Sequence, residues 1–152
     1  MTFPNIFTQP TVTALTERIN SLNPNTTATW GKMSVAQMLA HCNVTYEMAL
    51  ENIHPEPNFF VKFMLKTFVK KYLVGAAPYN QNSQTAPAFI IKETKDFDVQ
   101  KNRLINYLQK TQQLGEAHFS NKKSLSFGIL NTNEWNTMFY KHLNHHLTQF
   151  NV

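Results

Sequence analysis

The sequence predicts an all-α protein whose helices pack as a bundle, with one or two long crossover connections. Apolar residues recur at spacings of three and four along five segments, four of them long. Residues typical of helix starts and ends bound these segments. No two segments with the alternating pattern of β-strands form a convincing pair. We therefore expect residues 1–152 to form one domain around a helical core.

The first two helices are predicted from apolar spacing and from capping residues. A first helix over residues 11–22 is indicated by four side chains at helical spacing: Val12, Leu15, Ile19 and Leu22. The Asn-Pro-Asn sequence at residues 23–25 ends it. Ser34 and Gln37 have the spacing of a capping box, so a second helix begins there and runs to about Ile53, before two prolines.

The next segment, residues 58–74, has apolar side chains around most of a helix and lysines on the remainder. This pattern predicts a helix that is largely buried. Gly75 is placed as its C-cap, and the polar segment 76–87, which contains prolines, predicts a long loop. Long loops often line functional sites, so we expect this one to do so.

Two further helices are predicted in the last third of the chain. Asp98 begins one helix, which ends at Gly115. A loop follows over residues 116–130. Asn131 and Glu134 then form a second capping-box pattern, which predicts a last helix from Thr132 to Phe150.

The net charge of +5 allows a polyanionic partner, but the arrangement of the lysines does not favour nucleic acid. The densest group lies at helical spacing and is not interleaved with a platform of aromatic residues for base stacking: Lys62, Lys66, Lys70 and Lys71. Such a group is typical of a solvated helix face. We predict no nucleic-acid partner.

A single cysteine, Cys42, excludes an internal disulfide framework and any zinc site built from several thiolates. It adjoins His41, but adjacent helical residues point about 100° apart, so Cys42 is predicted to be a packed core residue. The N-terminal sequence lacks the pattern of a signal peptide. These features predict a cytoplasmic protein with no membrane partner. Binding to a membrane surface through residues 59–73 is an alternative, disfavoured because the same pattern predicts a core helix.

The most informative residues are two histidines of the last helix. His142 and His146 are four apart and fall on the core side of the helix, in line with Trp135 and Phe139, whereas His145 falls at the flank. Burying two imidazoles side by side is costly unless a partner satisfies them, and a divalent cation would do so. The zincin motif is absent, because Leu143 stands where that motif has Glu.

A third ligand would come from His41, His54, His118 or His145. His41 is preferred because it lies two turns inside a helix, whereas His54 adjoins a proline-bounded end and His118 lies in a loop. The helical wheel speaks against His41, which sits about 120° from the centre of the apolar stripe. Three other residues could orient the ligands, although each is better explained as structural: Asn43, Tyr46 and Glu47.

Two stretches of the sequence are specific enough to compare with known families. The first is Trp30-Gly-Lys-Met-Ser34-Val-Ala-Gln-Met-Leu-Ala-His41, at the entry of the second helix. The second is Phe127-Gly128 followed by Trp135 and by His142-Leu-Asn-His145-His146-Leu-Thr-Gln-Phe150. Both resemble the DinB-like superfamily of metal-binding four-helix bundles, in a branch of unknown function, and the resemblance covers nearly the whole chain in order and spacing.

The resemblance implies an up-down-down-up bundle, often dimeric, with a divalent metal, zinc or nickel in most members, on His41, His142 and His146. It leaves open coordination positions and assigns no catalytic residue. Characterised relatives are thiol-dependent transferases that join low-molecular-weight thiols to electrophiles. We therefore expect a metal-dependent thiol transferase or hydrolase-like enzyme with a small-molecule substrate. The alternative is a non-catalytic protein in which the metal only staples the bundle.

Overall fold

The structure, a computed structural model, describes residues 3–51 and 53–152 and is mostly helical. Its four longest helices are α1 (Gln9–Ser21), α2 (Val35–Leu50), α5 (Phe97–Phe119) and α6 (Thr132–Gln149). Between α2 and α5 lie α3 (Phe59–Met64), a π turn (Leu65–Val69), α4 (Lys70–Val74) and a 3-10 turn (Pro87–Phe89). A short sheet of β1 (Lys122–Ser124) and β2 (Gly128–Leu130) precedes α6. Within the described residues, no helix combines the length and apolar character that crossing a bilayer requires.

The core is built where α2 and α1 each pack against both α5 and α6. The ring of Tyr46 on α2 stacks on Phe139 of α6 at 4.9 Å and on Tyr107 of α5 at 5.7 Å. Trp135, Phe119 and Phe139 are also fully buried and pack edge or face against one another. Aromatic side chains from three helices therefore fix the position of α2 between α5 and α6.

Helix α2 is buried on nearly all sides, which its apolar stripe alone does not indicate. The predicted capping box is present, since Ser34 and the N3 residue Gln37 bond each other's backbone N–H groups. The helix ends at Leu50, short of the predicted end at Ile53, and Asn52 lies outside the described residues. Because α2 has neighbours on several sides, the flank that carries His41 also faces the interior.

The helices of the last third begin and end close to the predicted positions. The capping box of Asn131 and Glu134 is confirmed. Helix α5 is capped by Asp96 rather than Asp98, because the Asp96 carboxylate accepts from the Val99 N–H at 2.8 Å. Gly115 has φ of +68° and kinks α5, which then continues to Phe119. Gly115 therefore marks a break inside the helix and not its end.

The segment predicted as a loop over residues 116–130 contains the β-hairpin. Lys122 pairs with Leu130 and Ser124 with Gly128 in an antiparallel register. The indole N–H of Trp135 donates to the Lys122 carbonyl at 3.3 Å, which ties the hairpin to α6. The strands are three residues long and carry no alternating apolar pattern, so sequence periodicity gives no signal for them.

Residues 59–74 form a continuous helical stretch, here called the Phe segment. The prediction that it is buried is wrong, because no residue of α3, the π turn or α4 is buried. Apolar residues recur every four positions along its inner side: Val61, Leu65, Val69 and Leu73. A repeat of four drifts by about 120° over this length of α-helix, and the wider π turn compensates for most of the drift. One side therefore faces the protein along the whole segment.

Candidate metal centre

Three imidazole rings from two helices meet at one point between α2 and α6. His41 comes from α2, and His142 and His146 come from successive turns of α6. Nε2 of His41 lies 3.0 Å from Nε2 of His142. One ring nitrogen from each of the three lies within 4.8 Å of the others. The histidines selected from the sequence are thus brought together, and metal binding by them remains a prediction.

Each of the three rings is held by a hydrogen bond at its Nδ1 atom. The Nδ1 atom of His41 lies 2.9 Å from the carbonyl oxygen of Phe89, and that of His146 lies 2.8 Å from Gln149 Oε1. Because those oxygens only accept, both Nδ1 atoms carry the proton and both Nε2 atoms present a lone pair. His142 Nδ1 lies 3.0 Å from the Thr45 hydroxyl. Such bonds set the tautomer that a metal ligand needs.

The conformation at Trp30 and Gly31 positions the bond behind His146. The side-chain amide of Gln149 donates from Nε2 to the Trp30 carbonyl at 2.7 Å, which fixes its oxygen toward His146. A Cβ at residue 31 would lie 2.6 Å from Gln149 Nε2, and Gly31 has φ of +83°. The backbone conformation therefore favours glycine, and a larger residue would also displace the Gln149 amide. The Trp-Gly pair before α2 acts on the site through Gln149.

The donor set fits a divalent cation. His41 Nε2 carries a lone pair, so its 3.0 Å approach to His142 Nε2 requires either a proton on His142 Nε2 or a cation between the two atoms. Ligands of a tetrahedral zinc ion, at about 2.0–2.1 Å from the metal, lie about 3.3 Å from one another. The Thr45 hydroxyl suits either case, because it can donate to Nδ1 of His142 or accept from it.

Burial keeps the three rings neutral at physiological pH. The pKa of His146 is lowered to about 3, first by desolvation and then by neighbouring His41. Desolvation also lowers the pKa of His41 and, together with the adjacent imidazoles, lowers that of His142 well below its ordinary value. Neutral imidazole is the form that binds a metal. The cluster can therefore bind a cation without first losing protons.

A cleft of about 1020 Å³ opens beside the three rings. Its walls come from the inner side of the Phe segment, the loop at residues 79–91, and the hairpin turn at residues 124–127. The predicted loop over residues 76–87 therefore does line the site. Among the described residues, no Asp or Glu lines this cleft. Its aromatic and sulfur-containing lining residues are Trp30, Met33, Met48, Tyr72, Tyr79, Phe89, Phe127, Trp135 and Met138.

The remaining histidines do not join the cluster. His54 lines the cleft, but its Nε2 is 2.6 Å from a carboxylate oxygen of Glu47. His145 is half-buried between the rings of Trp30 and Tyr79. His118 lies on the surface, where its Nε2 contacts the Lys122 ammonium group. Of the four histidines considered as the third ligand, His41 is the one whose ring nitrogen lies close to those of His142 and His146.

The residues considered as orienting groups hold other parts of the fold. Glu47 pairs with Arg103 at 2.6 Å, and the Asn43 amide donates to Gln100 Oε1 at 3.0 Å. Tyr46 is a core aromatic, as described above. Cys42 is fully buried, and burial raises the pKa of its thiol, which agrees with a packing role.

Sequence reasoning missed the three groups that do hold the rings. Thr45 follows His41 by four residues and Gln149 follows His146 by three, so both spacings could have been found on a helical wheel. The third group, the Phe89 carbonyl, is backbone within a loop and leaves no sequence signal.

One family model matches the chain. It is described as a protein of unknown function (DUF1569), and the match covers residues 5–152. No curated protein and no solved structure shows significant similarity to the chain. The comparisons therefore assign a family without a reaction, and the chemistry has to be argued from the site itself.

Proposed function

This chain belongs to the DUF1569 family, whose function is unknown, and we propose that it is an enzyme that binds one divalent metal ion through His41, His142 and His146. The observation that carries the proposal is the convergence of three neutral imidazoles on one point in the wall of a large cleft. Histidine ligands suit zinc, nickel, copper and iron, and the resemblance to the DinB-like superfamily favours zinc or nickel among these. Three protein ligands leave coordination positions free, as in catalytic rather than structural zinc sites.

When bound, such an ion supplies a Lewis acid that lowers the pKa of a thiol or a water molecule and so provides a nucleophile at neutral pH. The chain itself does the positioning. Phe89, Gln149 and Thr45 fix the three rings, and the apolar cleft walls would exclude water around a bound substrate. The geometry therefore suits transfer of a thiol to an apolar electrophile, or hydrolysis.

A proton released in either reaction needs an acceptor, and the cleft offers one. His54 lies in the cleft wall with Nε2 bonded to Glu47, which leaves its Nδ1 for proton transfer. Glu47 is in turn held by Arg103. An imidazole backed by a carboxylate is a common form of general base. Within the proposal, His54 is the candidate for this role, since it is a cleft-lining histidine outside the three-ring cluster that has a carboxylate partner.

The resemblance to the DinB-like superfamily supports the same reading. It carries with it an up-down-down-up four-helix bundle, a low-molecular-weight thiol as cosubstrate and a homodimer. The mostly helical fold and the packing of α2 against α5 and α6 support a helical bundle, and the order of helix directions belongs to the proposal. Zinc or nickel, a thiol and a small electrophile are the reagents with which activity should first be sought.

The metal is tested by elemental analysis of protein purified without a His-tag. We expect one zinc or nickel ion per chain, and loss of that ion in His41→Ala, His142→Ala and His146→Ala. The matched control is His118→Ala, which removes a surface histidine and should leave the metal content unchanged. A metal at one hundred times its Kd should raise the free energy of unfolding by about 2.7 kcal/mol in the wild type. Full metal content in all three variants would refute the site.

The role of Gln149 in positioning the His146 ring is tested by Gln149→Ala, which leaves all three imidazoles in place. We expect metal affinity to fall by about 10–100-fold, because the His146 ring loses the bond that sets its tautomer. Gln113→Ala on the surface of α5 is the control. Equal affinity in the two variants would show that Gln149 does not position His146.

A metal that only staples α2 to α6 is the second candidate, because the ligands come from two packed helices. The two roles are separated by measuring thiol consumption and thermal unfolding on the same reconstituted protein. Turnover that requires the metal, with a chelated protein that stays folded, supports the enzyme. Loss of the fold on chelation without any turnover supports the staple.

A further inference from the structure

The outer side of the Phe segment presents an apolar surface to solvent. Phe59 is 88% exposed, Phe60 69%, Phe63 55% and Phe68 66%, and Met64 adds 40%. The inner side of the same segment lines the cleft, so the outer side has no neighbour among the described residues. Contiguous exposed apolar surface of this kind marks an interaction site in most proteins. The prediction of no membrane partner rested on the burial of this segment, and the segment is not buried.

Positive charge accompanies these rings, and negative charge does not. From residue 57 to residue 92 the sequence contains five lysines and no Asp or Glu. Lys62 and Lys70 form ion pairs with Glu56 and Glu134, outside this stretch. Lys66 and Lys71 are exposed and take part in none of the ion pairs within residues 3–51 and 53–152. A partner for this surface should therefore be apolar and anionic at once.

A second copy of this chain fits that description poorly. In a two-fold symmetric dimer the same patch meets itself, so Lys66 and Lys71 of both copies would approach one another. An anionic bilayer surface fits well, because aromatic side chains enter the boundary between headgroups and acyl chains while lysines meet the phosphates. The segment is 16 residues long, which suffices to lie along such a surface.

We propose that the Phe segment docks this protein on anionic membrane surfaces, with Phe59, Phe60, Phe63 and Phe68 at headgroup depth and the lysines on lipid phosphates. The inner side of the segment stays on the cleft while the outer side meets the lipid. Docking in this orientation does not depend on the bound metal, so this proposal stands or falls separately from the proposed function.

The test is flotation of the full chain with vesicles of phosphatidylcholine containing phosphatidylglycerol, beside vesicles of phosphatidylcholine alone. We expect about thirtyfold stronger partitioning onto the anionic vesicles, given the contribution of two unpaired lysines. The preference should vanish at about 1 M salt, where the Debye length is about 3 Å. No flotation with anionic vesicles at low salt overturns the proposal.

Variants locate the contact. The double substitution Phe63→Gln with Phe68→Gln should reduce partitioning at least about tenfold, since it removes two buried rings from the lipid boundary. Val99→Gln, on the exposed face of α5, is the matched apolar control. Lys71→Glu should weaken binding to anionic vesicles, whereas Lys110→Glu, which changes the net charge equally, should not. Effects of equal size in variant and control would overturn the assignment to this segment.

Light scattering on the same proteins tests whether a second copy of the chain, and not lipid, covers this surface. We expect the mass of the protein in solution to be the same for the wild type and for the Phe63→Gln, Phe68→Gln variant. A wild-type dimer that this variant converts to monomer would identify the patch as a subunit interface and overturn docking to lipid. Thermal unfolding of each variant confirms that the exposed substitutions leave the fold intact.

Discussion

Helix α2 and the Phe segment are both rich in apolar residues and both line the same cleft, yet their burial is opposite. Thirteen of the sixteen residues of α2 are buried, and none in the Phe segment is. The difference shows that an apolar helix specifies a surface that needs cover without specifying what covers it. In α2 the cover is α5 and α6, whereas the Phe segment has cover only on its inner side.

The polar residues of α2 and of the Phe segment differ in burial in the same way as their apolar residues do. Helix α2 buries His41, Asn43, Thr45 and Glu47, and each has a bonding partner from another part of the chain. Buried polar groups are costly without partners, so these bonds help to fix the position of α2, although Asn43 Oδ1 and the Tyr46 hydroxyl have no partner among the described residues. The Phe segment buries no polar side chain, and its lysines reach outward or to the rim. One region is constrained by internal bonds, and the other is left open for a partner.

Replacement of one phenylalanine in each region tests this comparison most strongly. Phe139 is fully buried against Tyr46 and Trp135, so Phe139→Ala should lower the free energy of unfolding by about 3–5 kcal/mol. Phe63→Ala should change it by less than about 0.5 kcal/mol, because Phe63 is 55% exposed. Urea unfolding followed by circular dichroism measures both. Similar losses in the two variants would show that the Phe segment is part of the core.

The helices themselves could be predicted because their signals are local. Ser34 with Gln37 and Asn131 with Glu134 lie within one turn of each other, and both capping boxes are present as expected. The burial of the Phe segment could not be predicted, since Phe63 on a helix has the same pattern whether a helix, a lipid or water lies beside it. The hairpin was missed for a different reason: two strands of three residues contain too little periodicity to detect.

The candidate site shows the same division between local and non-local information. His142 and His146 could be placed on one side of α6 from their spacing alone. His41 could be preferred by its position inside a helix, but the wheel placed it on a flank, and only the packing of α2 on several sides turns that flank inward. The bond from His41 to the Phe89 carbonyl spans 48 positions of the chain and depends on a loop conformation. No local pattern contains that information.

Acid should destabilise the metal-free protein, because its buried histidines gain protons only when the chain unfolds. The pKa of His146 is about 3 in the folded state, below its ordinary value of 6.5. Below pH 6.5, His146 is therefore protonated in the unfolded chain and neutral in the folded chain. The free energy of unfolding consequently decreases as the pH falls from 6.5 toward 3. His146 alone should contribute a loss of about 1.4 kcal/mol for each pH unit in this window. The Phe segment contains no histidine and adds nothing to this effect.

Carboxylates also titrate in acid, so the measurement compares variants and not absolute slopes. Urea unfolding in the presence of chelator, between about pH 7 and about pH 5, should give a shallower dependence for His146→Gln than for the wild type. His118→Gln serves as the control, because His118 is exposed and its removal should change the dependence less than removal of His146, although partial desolvation and Lys122 also lower the pKa of His118. A dependence as steep in His146→Gln as in the wild type would mean that the buried ring is already protonated in the folded protein.

The smallest expected difference concerns two N-caps whose side chains each accept a hydrogen bond from the backbone N–H three residues later. Ser34 accepts from the Gln37 N–H at 3.2 Å at the start of α2, and Asn58 accepts from the Val61 N–H at 2.9 Å at the start of α3. Ser34→Ala should lower the free energy of unfolding by about 1 kcal/mol, because α2 unfolds only with the core. Asn58→Ala should lower it by less than about 0.5 kcal/mol and should instead speed hydrogen exchange in α3 about fivefold, because α3 opens locally. Urea unfolding and exchange mass spectrometry on both variants give the two readouts. If Asn58→Ala costs as much global stability as Ser34→Ala, the Phe segment unfolds together with the core, and the contrast between the two regions is one of exposure alone.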